Sequence, residues 1–136
     1  MYDENLIVKV KANGTFDFYD SEYSDEIKIK KLSKLENLQL LENQIISFDK
    51  NENAIEYTLY INDTPIKSIN KNQGQVDVSE FTKDVGTYKI YLIANADKSE
   101  KEFTEYDSSK SEVIEVKRLN VVNNFKLENN VLSWDA

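Results

Sequence analysis

The chain contains no histidine and no cysteine, a single proline, a single tryptophan and only three glycines. Without histidine it lacks the side chain that most often serves as general base near neutral pH and as metal ligand. Without cysteine it forms neither a disulfide framework nor a thiolate metal centre, and cysteine usage says nothing of redox compartment. No apolar run approaches membrane-spanning length, and Met1 is followed by Tyr2-Asp3-Glu4 rather than a basic segment and an apolar stretch, so no secretory signal is read here. Basic residues are outnumbered too: 17 Lys and Arg against 25 Asp and Glu give a net charge of −8, which repels a phosphate backbone and speaks against nucleic acid as a partner.

What is present fits a small β protein. A chain of 136 residues has room for one β-sandwich with residues to spare, but not for two. The hydrophobic fraction of 40% is below that of an average globular domain, yet the 11% aromatics, with eight tyrosines, suit half-buried strands rather than disorder.

The clearest pattern covers residues 86–94. Ile90, Leu92 and Ala94 fall on one face and Lys89, Tyr91 and Ile93 on the other, the two-residue period of a strand with one side on a core. Residues 6–12 repeat that inner face as Val8, Val10 and Ala12. Asn13-Gly14 supplies a turn and 25–31 alternates again with Ile27 and Ile29 inward, so 6–31 is expected to form a hairpin with a long loop. Further strands are expected at 35–41, 44–49, 55–61, 75–81, 87–95 and 111–117, and one beginning at Pro65, which lacks an amide donor and belongs at a sheet edge. Residues 97–110 mix Lys with acids and read as a mobile, solvated connection.

Parts of this pattern recur. Ala12-Asn13 returns 82 residues on as Ala94-Asn95, and 24–32 returns 87 on as 111–119, so five extra residues fall in the loop between those strands. Leu38 and Leu40 return 87 on as Phe125 and Leu127; Ile46-Ser47-Phe48-Asp49 returns 86 on as Leu132-Ser133-Trp134-Asp135, a one-residue slip near Leu41. Residue types match at inward positions and vary at outward ones, Tyr91 answering Lys9 and Ile93 answering Lys11, so the match follows core packing. Three pieces are therefore expected: 1–32, the last hairpin (strands F and G) of a preceding repeat; 33–119, a complete domain; and 120–136, the first strands (A and B) of a following repeat. The complete piece is expected to be all-β, a seven-stranded antiparallel immunoglobulin-like sandwich. A lone hairpin is marginal in water, so the flanks are expected to cover their edges on the central unit or on another chain.

The complete unit resembles a fibronectin type III repeat of the kind found in tandem on bacterial surface and secreted proteins. The carrying motifs are Leu132-Ser133-Trp134-Asp135-Ala136 for strand B, answered by Ile46-Ser47-Phe48-Asp49; Tyr57-Thr58-Leu59-Tyr60-Ile61-Asn62-Asp63 for strand C; Asp77-Val78-Ser79; Gly86-Thr87-Tyr88 opening strand F; and Asp20-Ser21-Glu22-Tyr23-Ser24 before strand G. Tyr88 matches the family tyrosine whose hydroxyl closes a corner back onto the chain upstream. Phe48 stands where the strand B tryptophan is usual, and the strand F/G loop of the complete unit is longer than that of residues 13–24. The resemblance implies spacing, adhesion or support of attached catalytic domains, and an extracellular or cell-surface location with signal and anchor outside this segment. No Arg-Gly-Asp tripeptide occurs.

Chemistry has few candidates. A glycosidase-type carboxylate pair needs two acids held across a cleft, and a small sandwich with loops only at its poles offers none, so the acids read as solvated surface and no catalytic residue is expected. Asp17, Asp20 and Glu22 offer oxygen ligands, but their spacing matches no EF-hand loop and lacks its central glycine, so neither metal nor cofactor is expected. With strands C, F and G as neighbours, Tyr60, Tyr91 and Ile93, with Val113, project from the outer face as a candidate binding surface for a protein or carbohydrate partner. The plainer reading is strand propensity, cross-strand pairing or contact with a neighbouring repeat. The function expected is a non-catalytic module serving as spacer or adhesion element; the alternative is a carbohydrate-binding or accessory module of a secreted glycan-degrading enzyme.

Overall fold

The computed structural model describes residues 2–99 and 104–135. Its regular structure is strand apart from two single-turn 3₁₀ segments, so the chain is all-β. The N-terminal piece gives β1 (Tyr2–Val8) and β2 (Ile27–Leu32). The middle gives β3 (Gln39–Leu41), β4 (Ile45–Ser47), β5 (Glu56–Ile61), β6 (Thr64–Asn70), β7 (Gln75–Asp77), β8 (Gly86–Asn95), β9 (Thr104–Tyr106) and β10 (Ile114–Arg118), and β11 (Lys126–Glu128) and β12 (Val131–Ser133) complete the order.

Two sheets form within residues 33–119, one in the order β3-β4-β7 and the other β10-β8-β5-β6, and every pairing in them is antiparallel. The period of two drives their packing: Tyr57, Leu59 and Ile61 of β5 and Ile90, Leu92 and Ala94 of β8 are buried, and they share one cluster with Ile46 of β4 and Val76 of β7. Each leucine, isoleucine or valine among them contributes about 1.5–3 kcal/mol on burial. Phe48 meets Tyr57 edge-on at 5.0 Å, and the Tyr57 hydroxyl accepts from Asn51 N–H and donates to the Lys71 carbonyl, both at 3.2 Å, so a buried polar tip is satisfied. Pro65 sits in β6 at the rim of its sheet, where its missing donor faces no partner strand.

Next to the long loops regular pairing ends sooner than the alternation in sequence suggests, at Val8–Ile27 and Ile90–Ile114, because side chains take over the ladder. Beyond Ile90, Leu92 N–H donates to Ser111 Oγ (3.0 Å) and Ala94 N–H to Ser108 Oγ (2.9 Å), while the two serine amides donate back to the Leu92 and Ala94 carbonyls. Ala96 N–H then donates to Asp107 Oδ1 at 2.8 Å. The N-terminal hairpin does the same with Val10 on Ser24, Ala12 on Ser21 and Gly14 on Asp20, at 2.9, 2.7 and 2.9 Å. Gly14 is required there: a Cβ would stand 2.1 Å from the Phe18 carbonyl oxygen.

The reading of 97–110 as a mobile connection is corrected by this geometry. Residues 100–103 lie outside the described part, but the loop carries β9, and Glu105 and Ser108 are buried in it. Its acids and serines act as acceptors for backbone donors, which composition alone cannot distinguish from solvated polarity.

Register recurs as the bonds do. Val8 faces Ile27 as Ile90 faces Ile114, and Leu6 faces Ile29 as Tyr88 faces Val116. In the pair β11–β12, Leu127 faces Leu132 as Leu40 faces Ile46 in β3–β4. The slip lies in the turn: three residues, Glu42–Gln44, join β3 to β4, and two, Asn129 and Asn130, join β11 to β12, with positive φ at Asn43, Gln44, Asn129 and Asn130. Asn37 and Asn124 both take positive φ and donate their amides to Asp49 and Asp135.

Candidate functional site

The outer face of β5 and β8 is where the candidate surface falls. Tyr60 and Tyr91 are direct cross-strand partners, and their rings stack at 4.9 Å with planes 8° apart. Tyr91 is only 8% exposed, and Lys110 Nζ lies 5.3 Å from its ring centroid. Burial, and then a hydrogen bond to the Asp63 carboxylate, push the Tyr91 hydroxyl up from its ordinary value. Ile93 faces Thr58 beside them and is half-buried, as is Tyr60, while Val113 is exposed just before β10. The structure thus brings Tyr60, Tyr91 and Ile93 together on adjacent strands, but one face of each ring is occupied by the other. A cross-strand aromatic pair of this kind is worth about 0.5–1 kcal/mol in itself.

Asp17, Asp20 and Glu22 do not converge. Asp20 accepts from Gly14 N–H and stands 3.4 Å from Lys11 Nζ, and among the described residues no set of three acids could hold a metal ion. Across the molecule the carboxylates act as local acceptors: Asp77 is held below the usual carboxylate range by its bonds to Ser79, whose N–H donates at 2.8 Å.

Three features escape a reading of the sequence. An open groove of about 930 Å³ crosses the outer side of β3, β4 and β7, lined by Gln39, Ser47, Gln75 and Asp77 among others. The loop after β1 displays Phe16, Phe18 and Tyr19 to solvent, and Phe16 takes a positive φ of 55°. The third is the contact between β2 and β9, which pair in parallel, Ile29 with Thr104, Lys30 with Glu105 and Lys31 with Tyr106. Tyr2 Oη donates to Glu105 Oε1 at 2.6 Å, and burial followed by that carboxylate pushes the Tyr2 hydroxyl up to about 12. Nothing in the sequence pairs residues 103 apart; the one available signal was the five-residue length difference between the two loops.

The corner at Tyr88 is closed: its hydroxyl donates to the Asp84 carbonyl, four residues upstream, at 2.6 Å. No helix among the described residues is long and apolar enough to cross a membrane. No protein-family model and no curated protein matches the chain. Among solved structures it is similar to the Clostridium perfringens spore cortex lytic enzyme SleM, at 15% identity and a TM-score of 0.42, over 65% of this chain and 28% of that one. The chain thus spans under a third of that protein's length, and a likeness this distant carries no argument about activity.

Proposed function

We propose that the chain is part of a tandem array of fibronectin type III-like sandwiches and serves as a non-catalytic spacer or interaction element of a bacterial surface or secreted protein. The observation that carries the reading is the recurrence of whole hydrogen-bond sets at the sequence offsets: the Asp-Ser-x-x-Ser ladder of 20–24 and 107–111, and the Asn–Asp clasp of 37–49 and 124–135. Shared composition would not reproduce bonds with their partners and register. The strand order supports the sandwich. Lettered along the chain, β3, β4 and β7 are A, B and E, and β5, β8 and β10 are C, F and G, the groupings of immunoglobulin-like sandwiches, with β6 beside C. On this reading 1–32 and 120–136 belong to the neighbouring repeats, which are the partners the chain meets first.

A recombinant fragment of residues 33–119 tests the modular part: one cooperative thermal transition is expected, and its absence would refute the boundaries. A glycan array probed with the full chain tests the role. No retained glycan is expected, and selective capture of one glycan class, lost in Tyr60→Ala, would replace the spacer reading with the carbohydrate-binding one. Tyr91→Lys, which installs the residue of the first copy, is expected to leave protein-partner binding unchanged if the tyrosine pair is only a cross-strand contact.

A further inference from the structure

The two F–G loops differ in length and not in closure. Each is shut by an aspartate and two serines accepting three backbone amides, so the five extra residues of the second loop are not needed to close it. What the longer loop adds is β9. It lies along the edge of β2 opposite β1, making the N-terminal hairpin three-stranded with a strand that belongs to the next unit. Glu105 in its middle is 4% exposed and accepts from Tyr2, and Tyr2 itself packs against the hydrophobic cluster of the central unit. Just past β9, Ser109 Oγ accepts from Lys31 Nζ at 2.9 Å. The covalent join is held as well: Leu32 and Leu35 are buried in the central cluster, and the Ser33 carbonyl accepts from Asn51 Nδ2.

We infer that residues 104–111 are an inter-unit strap, a strand lent in cis to the G edge of the preceding unit, which fixes the orientation of one unit on the next. Adjacent units joined by a short linker ordinarily move relative to one another unless a substantial interface holds them. Here the interface is a backbone ladder, the mode by which extended segments add to sheet edges, and it leaves less of that edge open to chance pairing. The part-buried Tyr2–Glu105 bond sets its position along β2. The inference rests on the array reading and adds to it that the array is stiff at this junction.

The test uses the full chain. Because it has no cysteine, Glu22→Cys on the hairpin and Lys83→Cys on the central unit accept spin labels at single exposed sites. Two variants remove the strap in different ways: Thr104→Pro with Glu105→Pro deletes adjacent backbone donors, and the second exchanges 95–106 for the shorter loop of residues 13–19 while keeping the serine ladder. Both are expected to broaden the inter-label distance distribution about twofold or more, while the thermal transition of the central unit stays in place. A distribution as narrow in both variants as in the parent overturns the strap. Broadening together with loss of the central transition in both also overturns it, since the loop would then be part of the core. Failure of the 33–119 fragment to melt cooperatively strikes the array reading on which the strap rests, whereas an unchanged distance distribution strikes the strap alone, so the two failures are distinguishable.

Discussion

The hairpin of β1 and β2 and the hairpin of β8 and β10 share their register and their serine ladder, and differ in what lies beneath them. Leu92 is 0% exposed and its counterpart Val10 is 67% exposed; Ile90 is buried and Val8 is not. The pair β3–β4 and its counterpart β11–β12 repeat the contrast, Phe48 at 6% against Trp134 at 56%. Turn chemistry and side-chain acceptors therefore set the shape of these hairpins locally, whereas burial waits for the opposing sheet. A hairpin without that sheet keeps its geometry and lacks most of the apolar stabilisation, so the flanks are the segments expected to open at the lowest free energy.

The largest effect that would sharpen this contrast is in the core. Leu92→Ala is expected to destabilise the central unit by about 3 kcal/mol, a buried leucine leaving a cavity, and Val10→Ala to change the same urea transition by less than about 0.5 kcal/mol. Equal effects would mean that the N-terminal hairpin has a hidden cover. Ser111→Ala comes next. It strips the acceptor from the buried Leu92 N–H and is expected to cost about 2 kcal/mol, while Ser24→Ala leaves the exposed Val10 N–H to water at about 0.5 kcal/mol or less. Amide exchange at Leu92 and Val10 reads the same difference residue by residue, and comparable acceleration at both sites would break it.

How much of this was legible follows from the same division. Alternation placed Ile90, Leu92 and Ala94 inward, because a period of two survives any register that keeps one face on a core. The offsets of 82, 87 and 86 located the turns where length changes, since inward positions conserve type across the copies. The ends of strands were not legible. Ser21, Ser24 and Ser108 read as loop and Ser111 as the first residue of a strand, and only the structure shows their hydroxyls standing in for carbonyls. Nor was β9: three residues carry no readable period, and their partner strand, β2, lies far upstream in the chain. On the outer face, Tyr60 and Tyr91 were placed together by cross-strand reasoning, but the approach of Lys110 to the Tyr91 ring lies beyond the reach of any strand pattern.

A smaller effect sits at the corner of β8. Tyr88 occupies the position of Leu6, and only the tyrosine has a hydroxyl to close onto the chain upstream. Tyr88→Phe is expected to lower the central unit's stability by about 1 kcal/mol, the net worth of one hydrogen bond, with the fold unchanged. A loss under about 0.3 kcal/mol would mean that water replaces the phenol there and that the corner is set by Gly86, whose φ of 151° a side chain rarely adopts.

The smallest effect is one of pH and falls on Asp107, which latches the long loop by accepting from Ala96 N–H at 2.8 Å and Lys98 Nζ at 2.6 Å. Burial raises its carboxyl, but the bonds and charge of Lys98 and the Ala96 amide outweigh that and leave it below the ordinary 3.8. A carboxyl more acidic folded than unfolded stabilises the fold when ionised. Its contribution is whole above the ordinary value and vanishes as the pH falls through the lower, folded one. Above about pH 5 the latch is therefore expected to be insensitive to pH, and below the ordinary value the Ala96 amide should lose protection, its exchange approaching the intrinsic rate, while Leu92 stays protected. Asp107→Asn should remove that acid limb. If Ala96 and Leu92 instead open together at low pH, the loop is not a separate latch but one cooperative piece with the sheet, and the strap it carries would release only when the central unit unfolds.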